Sequence, residues 1–308
     1  MDQHRPQPSP PIVLCFSASD PSAGAGMQAD LMTLSSMGCH PLSVITALTV
    51  QDTIGVDSIL AIDADWVEDQ ARALLEDMPV AAFKIGLLGS VENVAVIAEI
   101  IADYPDIPLV LDPVLASGRG DTFADEEMIA ALRELLLPQT TVLTPNSLEA
   151  RRLCEESNED NEDNEDNEDH EDSDSEEVLP LIECARRLLG FGAQYVLITG
   201  THENTAQVVN QLYAEEGLIR SDAWDRLPGS YHGSGCTLAS AIAASLAHGL
   251  SVPDAVRDAQ DYTWQALAAG FRPGMGQYIP DRFFWARAGS QADSEGGEAA
   301  DDASGEHA

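Results

Sequence analysis

The stretch IVLCFSASDPSAGAGMQADLMTLSSM, residues 12–37, combines an apolar run, a loop of small residues and a helical pattern. Residues 12–16 are continuously apolar and predict a short buried strand. Residues 27–37 have the apolar spacing of a helix. Because a strand followed by a helix is the repeating unit of α/β proteins, this stretch predicts that fold class.

The same alternation continues along the chain. Further strands are predicted at residues 43–48, 81–88, 109–111, 141–143 and 195–198, with a hairpin at 207–214 and 217–221. Helices are predicted at residues 66–78, 91–102, 126–137, 179–189, 234–248 and 253–269, and another begins at Ser147. Strands that alternate with helices of this length imply a mainly parallel central sheet with helices on both faces. We therefore predict a single α/β domain over residues 11–288.

Three segments are expected to lie outside the packed domain. Residues 155–177 hold fifteen acids and no Lys or Arg, including an NED triplet repeated four times. This composition cannot bury apolar surface and repels itself, so it predicts a disordered acidic insert. Binding of cations or of a basic partner is the alternative. Residues 1–10 predict a flexible N-terminal tail, and residues 289–308 a disordered acidic C-terminal tail.

The charge of the chain restricts its partners. The chain has 53 acidic and 15 basic residues, a formal net charge of −38. Such a surface repels nucleic acid and anionic membranes. Lys84 is the only lysine. An acidic, lysine-poor surface indicates a halophilic protein that stays soluble where salt screens charge, and a genome composition favouring Arg over Lys is the alternative.

The sequence shows neither a membrane span nor a signal peptide. It contains no run of 18 apolar residues, and its polar, proline-rich start lacks a basic and apolar leader. The five cysteines are widely spaced and form no CxxC pair. We therefore expect reduced thiols in a cytoplasmic protein, with neither a disulfide framework nor a zinc site.

The segment HGSGCT, residues 232–237, lies directly before a predicted helix. Glycines at a helix N-terminus let backbone N–H groups converge on an anion, and the helix dipole adds partial positive charge. Phosphoryl transfer needs this stabilisation as charge develops on the transferring group. The alternative is a glycine-rich helix start that only packs tightly.

Three further segments follow predicted strands, where ligands of α/β sheets bind. They are DPSAGAG at residues 20–26, DPV at 112–114 and TPNSLE at 144–149. Small residues in the first allow a flat ligand close to the backbone. Asp112, Asn146 and Glu149 supply the oxygen ligands that Mg²⁺ prefers beside phosphates. An ordinary turn and simple helix capping are the alternatives for these segments.

Together these segments resemble one family, the hydroxymethylpyrimidine and phosphomethylpyrimidine kinases of thiamin biosynthesis, in the ribokinase-like superfamily. The resemblance extends over residues 13–243 in the order of the family. It is carried by FSASDPSAGAGMQADL (16–31), SVITALTVQDT (43–53), KIGLLGS (84–90), LDPVLASGRGD (111–121), LLPQTTVLTPNSLEA (136–150) and YHGSGCTLASAIA (231–243). GSGC in place of the superfamily's usual GxGD is typical of this branch.

The resemblance implies a pyrimidine pocket. Gln51 matches the glutamine that hydrogen-bonds the aminopyrimidine, since an amide offers both a donor and an acceptor. Other positions that match pocket residues are Asp30, Ala18, Leu87 and Val114. Leu87 replaces a methionine common in the family, and Ala18 replaces a glycine found in many members.

The resemblance also implies the phosphoryl-transfer residues. Cys236 matches the base for the substrate hydroxyl. The anion hole matches Gly233, Ser234 and Gly235; the nucleotide and metal positions match Asn146, Glu149, Thr199 and Gly200, with Asp112 as a further metal ligand. Many members have a lysine where this chain has Thr199, so one cation fewer is expected on the phosphates.

The expected reaction is ATP-dependent phosphorylation of 4-amino-5-hydroxymethyl-2-methylpyrimidine and of its monophosphate. Mg²⁺ is the expected cofactor, ATP the co-substrate and a homodimer the expected assembly. Pyridoxal kinase is the nearest alternative enzyme, although that branch usually has an aspartate at the position of Cys236. A non-catalytic pyrimidine-binding regulator on the same fold is the alternative from another class.

Overall fold

The computed structural model describes residues 9–116, 123–155 and 179–287. The strands are β1 (Ile12–Ser19), β2 (His40–Gln51), β3 (Val56–Ala61), β4 (Val80–Ile85), β5 (Leu109–Leu111), β6 (Val142–Leu143), β7 (Tyr195–Ile198), β8 (Gln207–Ala214) and β9 (Gly217–Asp225). The α-helices are α1 (Gly26–Ser36), α2 (Ala64–Asp77), α3 (Val91–Ala102), α4 (Glu126–Ala131), α5 (Ser147–Arg152), α6 (Leu181–Gly190), α7 (Ser234–Ala247) and α8 (Val252–Ala268). The predicted insert and both acidic or flexible tails lie almost entirely outside the described residues.

These strands form one mixed sheet in the order β3-β2-β1-β4-β5-β6-β7-β8-β9. The six neighbouring strands β2, β1, β4, β5, β6 and β7 run parallel to one another. The two edges are antiparallel, β3 against β2 and the β8–β9 hairpin against β7. Strand β2 is added to the sheet on one side of β1, and β4 and the later strands are added on the other side. The strand order therefore reverses beside β1. Ligands of open α/β sheets bind at such a point.

Each face of the sheet has its own apolar core. One core packs residues of α2 to α6 against the sheet, around Phe16, Phe83 and Ile97. The other packs α1, α7 and α8 against the opposite face, around Leu34 and Ile242. Helices on both faces bury both sides of the parallel strands, which confirms the predicted fold class.

Two local predictions from the sequence were wrong. Strand β3 was missed because all of its side chains are partly or fully exposed, which leaves no alternating apolar pattern to detect. The predicted helix 126–137 is α-helical only as far as Ala131. It continues as a wider turn through Leu136 and a 3-10 turn at Leu137–Gln139, where Pro138 cannot donate a helical hydrogen bond.

No helix in residues 9–116, 123–155 and 179–287 is long and apolar enough to cross a bilayer.

Candidate active site

The start of α7 lies against the carboxyl end of β5. A Cβ atom added to Gly235 would lie 3.7 Å from both carboxylate oxygens of Asp112. Gly233 precedes the helix in a left-handed conformation, with φ of +80°. A Cβ atom on Gly233 would lie 2.0 Å from the carbonyl oxygen of Gly24, so only glycine fits. The structure thus brings together three of the segments singled out in the sequence.

Cys236 occupies the first turn of α7, half-buried beside Asp112. A thiol in the first turn of a helix ordinarily has a lowered pKa, but here burial outweighs that effect. Burial raises the pKa of Cys236 to about 12, and the carboxylates of Asp112 and Asp30 add to the rise. The charge of Lys84 and the backbone N–H of Gly26 oppose it without cancelling it. The thiol is therefore protonated at neutral pH.

Asp112 and Glu149 are two acids that share one region of the site. Burial raises the pKa of Asp112 to about 6, although Lys84 and a hydrogen bond with the Cys236 thiol act to lower it. Burial and the facing Asp112 carboxylate raise the pKa of Glu149 to about 8. One carboxylate oxygen of Asp112, Oδ2, is buried and has no hydrogen-bond partner among the described residues. An orphaned oxygen beside a second carboxyl group fits a divalent cation that keeps most of its ligands as water and phosphate.

Asn146 and Glu149 also cap α5. The Asn146 Oδ1 atom accepts hydrogen bonds from the backbone N–H groups of Leu148 (2.9 Å) and Glu149 (3.0 Å). The Glu149 Oε2 atom in turn accepts from the Asn146 N–H at 2.9 Å. These reciprocal hydrogen bonds form a capping box. Capping and ligand binding are compatible, because the amide Nδ2 of Asn146 and the second oxygen of Glu149 take no part in it.

Thr199 and Gly200 follow β7 and lie next to the start of α5. The Ser147 N–H donates to the Thr199 carbonyl oxygen at 3.1 Å. A Cβ atom on Gly200 would lie 2.3 Å from the Val209 carbonyl oxygen, so the close approach of β8 requires glycine here. The Gly200 N–H donates to Asn210 Oδ1 at 3.1 Å and is therefore not free for phosphate.

The predicted pyrimidine residues lie around the carboxyl ends of β1, β2, β4 and β5. Leu87 and Val114 line one small cavity together with Asp112. Ala18 is buried where the register of β1 against β2 shifts. Gln51 ends β2, half-buried, and its amide has no hydrogen-bond partner among the described residues. A free amide at this edge is compatible with the predicted contact to a ligand.

Asp30 has a different environment from an open pocket residue. Its side chain is wholly buried, and its Oδ2 atom accepts from the Lys84 ammonium group at 2.8 Å. Its Oδ1 atom accepts from the Ser240 hydroxyl at 2.7 Å. A Cβ atom on Gly86 would lie 2.7 Å from both Lys84 Nζ and Ser17 Oγ. Asp30 is therefore part of an interior ion pair beneath the site, which the sequence did not reveal.

A second pair that sequence reasoning missed joins the two glycine loops. The Nε2 atom of His232 lies 2.8 Å from Asp20 Oδ2. Asp20 also accepts from the Ala25 N–H at 2.7 Å and from the hydroxyl of Ser22 at 3.0 Å. Burial acts to raise the pKa of Asp20, but the hydrogen bonds from His232, Ser22 and Ala25 outweigh it and lower that pKa. Asp20 and His232 lie in two of the segments that the sequence singled out, residues 20–26 and 232–237, but no sequence pattern indicates that they meet.

Comparisons with known proteins agree on one family. A family model described as phosphomethylpyrimidine kinase matches residues 20–281. The hydroxymethylpyrimidine/phosphomethylpyrimidine kinase of Streptomyces coelicolor is 38% identical over 273 residues, which cover 88% of this chain and 94% of the relative. The enzyme of the same name from Escherichia coli is 34% identical, with coverage of 83% and 90%.

Solved structures show the same fold. The ADP complex of Bacillus subtilis pyridoxal kinase superposes with a TM-score of 0.76 at 27% identity and covers 91% of this chain and 100% of that structure. The phosphomethylpyrimidine kinase from Clostridium difficile has a TM-score of 0.66 at 30% identity, with coverage of 83% and 99%.

Proposed function

This chain belongs to the phosphomethylpyrimidine kinase family, and we propose that it phosphorylates 4-amino-5-hydroxymethyl-2-methylpyrimidine and then the resulting monophosphate. ATP is the co-substrate. In the first step the hydroxymethyl oxygen forms a bond to the γ-phosphorus, the bond from that phosphorus to the β,γ-bridging oxygen breaks, and the hydroxyl proton passes to a base. In the second step a phosphate oxygen of the monophosphate replaces the hydroxyl oxygen as the nucleophile.

The observation that carries this proposal is the contact between the start of α7 and Asp112. The backbone N–H groups after Gly233 form an anion-binding helix N-terminus. A Cβ atom on Gly235, in the first turn of α7, would lie 3.7 Å from both carboxylate oxygens of Asp112, so the carboxylate faces this N-terminus. An anion hole beside a carboxylate whose Oδ2 lacks a partner suits a phosphate that arrives with a divalent cation.

The predicted residues other than Asp30 and Cys236 have four tasks in this reaction. Asp112 and Glu149 would hold Mg²⁺, which neutralises charge on the phosphates when bound. Gly233, Ser234 and Gly235 would bind the transferring phosphoryl group through backbone N–H groups. Asn146, Thr199 and Gly200 would border the nucleotide. Gln51 would hydrogen-bond the pyrimidine, with Leu87, Val114 and Ala18 forming apolar walls.

The substrate is tested with a coupled assay of ATP consumption. Hydroxymethylpyrimidine, its monophosphate and pyridoxal are compared at equal concentrations, since pyridoxal kinases are among the structural relatives. We expect the highest kcat/KM with the two pyrimidines. Turnover of pyridoxal alone would assign the chain to the alternative enzyme, and binding of pyrimidine without ATP consumption would indicate a regulator.

Gln51→Glu is expected to weaken pyrimidine binding with little effect on the affinity for ATP. The carboxylate accepts hydrogen bonds but cannot donate the one that the amide donates. A lost hydrogen bond to a buried polar ligand costs about 1–3 kcal/mol. Titration of each substrate measures the effect, and Gln70→Glu at a partly exposed position on α2 introduces the same charge as a control. Equal weakening of both substrates would show that Gln51 has a structural role instead.

Stabilisation by Mg²⁺ is expected to increase as the pH rises from about 6 to about 9, the range in which Asp112 and Glu149 lose their protons. Because the folded-state pKa of Glu149 exceeds its ordinary value of 4.5, the metal-free protein loses stability as the pH rises toward 8. Mg²⁺ offsets both the burial of the ionised Glu149 carboxylate and its repulsion by Asp112, which together cause this loss. Melting curves with and without Mg²⁺ measure the effect, and Glu149→Gln is expected to flatten its pH dependence. If Mg²⁺ raises the melting temperature by the same amount at every pH, Asp112 and Glu149 are not its ligands.

A homodimer also belongs to the proposal. Strand β3 is an edge strand with large exposed apolar side chains, Leu60 at 65% and Ile59 at 36%, and Val50 on β2 is 61% exposed. Apolar groups on an unpaired edge support association with a second copy. The cytoplasmic location and the adaptation to raised salt stay predictions from the sequence.

A further inference from the structure

Arg282 follows α8 and lies in the interior between the two glycine loops, only 2% exposed. Its Nη2 atom donates to the Gly24 carbonyl oxygen at 2.6 Å, and its Nε atom donates to the Thr237 hydroxyl at 3.1 Å. Its Nη1 atom reaches the Ala23 carbonyl oxygen at 3.5 Å. One guanidinium group therefore contacts both the loop before α1 and the first turn of α7.

The contacts of Arg282 continue to the anion hole. The Thr237 hydroxyl, which accepts from Arg282, donates to the Gly233 carbonyl oxygen at 2.8 Å. Gly233 in turn packs directly on the Gly24 carbonyl oxygen that Arg282 binds. The guanidinium group, the carbonyl of Gly24 and the peptide of Gly233 thus form a closed unit. A change at Arg282 would therefore displace the Gly233 peptide, where α7 begins.

The charge of Arg282 has no direct counter-ion in the described part of the chain. Its hydrogen-bond acceptors are two carbonyl oxygens and a hydroxyl, and no carboxylate oxygen of the described residues lies within 4.0 Å of its nitrogens. Asp20 and Asp30 act on it only from a greater distance. Arginine stays protonated in proteins, and buried charges are usually paired. An unpaired buried cation beside an anion hole is therefore matched to the negative charge that develops there during phosphoryl transfer.

We propose that Arg282 is a positioning residue for phosphoryl transfer in this chain. It locks the two glycine loops so that the N–H groups of α7 converge, and its charge stabilises the transferring phosphoryl group without touching it. This inference rests on the proposed function. Its effect is confined to the transition state, in which charge spreads over the phosphoryl oxygens.

Two variants separate position and charge from simple packing. Arg282→Met fills the space without charge, and we expect kcat to fall about 10²-fold, the cost of a small misplacement of reacting groups. KM for ATP and for the pyrimidine should change less than about threefold, as for an interaction made only in the transition state. Arg282→Lys retains the charge and should recover about tenfold of the loss, since part of the electrostatic stabilisation returns. If Arg282 only packs, Arg282→Met should have the higher kcat of the two variants, because methionine buries no unmatched ammonium group.

Arg133→Met is the matched control. Arg133 also donates to backbone carbonyls, those of Leu153, Arg152 and Glu155, but at the far end of α5. Its loss should lower the melting temperature and leave kcat unchanged. Melting curves of all variants show which are folded at the assay temperature. If Arg282→Met is unfolded there, Arg282→Lys is compared with wild type instead.

Affinity for ADP with aluminium fluoride, a mimic of the transferring phosphoryl group, is the second measurement. It needs no pyrimidine, so it tests Arg282 even if the proposed substrate is wrong. We expect Arg282→Met to weaken this complex about as much as it lowers kcat, because both report transition-state charge. Wild-type protein that turns over no pyrimidine would refute the proposed function alone. Unchanged kcat and unchanged mimic affinity in Arg282→Met would overturn the role of Arg282.

Discussion

Cys236→Ala is expected to lower the rate of phosphoryl transfer ~10²–10⁴-fold, the usual contribution of a general base, while both ligands still bind. The thiol lies in the first turn of α7, beside Asp112 and under the influence of Lys84. With a pKa of about 12 it is not ionised beforehand. To take the hydroxyl proton the thiol must release its own, and the Asp112 carboxylate, which is hydrogen-bonded to the thiol, accepts that proton. Both transfers come late, as the new bond to phosphorus forms, which a loose transition state allows.

Single-turnover phosphate transfer measures this effect. Cys236→Asp should recover part of the rate, although a third carboxylate beside Asp112 and Asp30 limits the gain. Cys39→Ala is the control, because Cys39 is a buried thiol whose Sγ lies near His248, away from the phosphoryl-binding loop. Transfer at the wild-type rate in Cys236→Ala would mean that the thiol is not the base and that the backbone N–H groups carry the site.

Lys84→Met is expected to destabilise the fold by about 3–5 kcal/mol, the cost of breaking a buried ion pair. Lys84 and Asp30 are both fully buried and 2.8 Å apart. Burial acts to lower the pKa of Lys84, but the nearby carboxylates, Asp30 foremost, raise it above its ordinary value. Its contribution to stability is therefore retained across the neutral range and is lost only at strongly alkaline pH. Without Lys84, Asp30 keeps a buried charge with only the Ser240 hydroxyl as partner.

Urea unfolding measures the loss, and a double variant identifies its cause. Lys84→Met combined with Asp30→Leu should recover most of the stability, because no unpaired charge remains. Arg72→Met is the control, since Arg72 forms exposed pairs with Glu68 and Asp103 that contribute less than about 1 kcal/mol each. A Lys84→Met variant as stable as wild type would mean that the Lys84–Asp30 pair does not stabilise the fold.

Local patterns predicted most of the architecture. The strand at 109–111 and the helix at 91–102 have the predicted bounds, and the hairpin after residue 207 is confirmed. These elements have a buried face, which leaves a periodic apolar pattern in the chain. Strand β3 has no such face, so only its pairing with β2 defines it. The kinase family was likewise identifiable, because its segments are contiguous and lie at strand ends.

Local sequence patterns could not predict contacts between residues that are far apart in the chain. Asp30 meets Lys84 across 54 positions, Asp20 meets His232 across 212, and Gly24 meets Arg282 across 258. Hydrophobic periodicity and glycine spacing report interactions within one turn or one strand, whereas these pairs depend on which elements the sheet order places side by side.

The amino-acid sequence by itself determined the α/β class, the four segments that carry chemistry and the family to which they belong. The tertiary structure decided which of those side chains are buried and what faces them. For that reason it alone raised the pKa of Cys236 and enclosed Asp30 with Lys84. Charge states follow from desolvation and from neighbours a few ångströms away, and both exist only once the chain has packed.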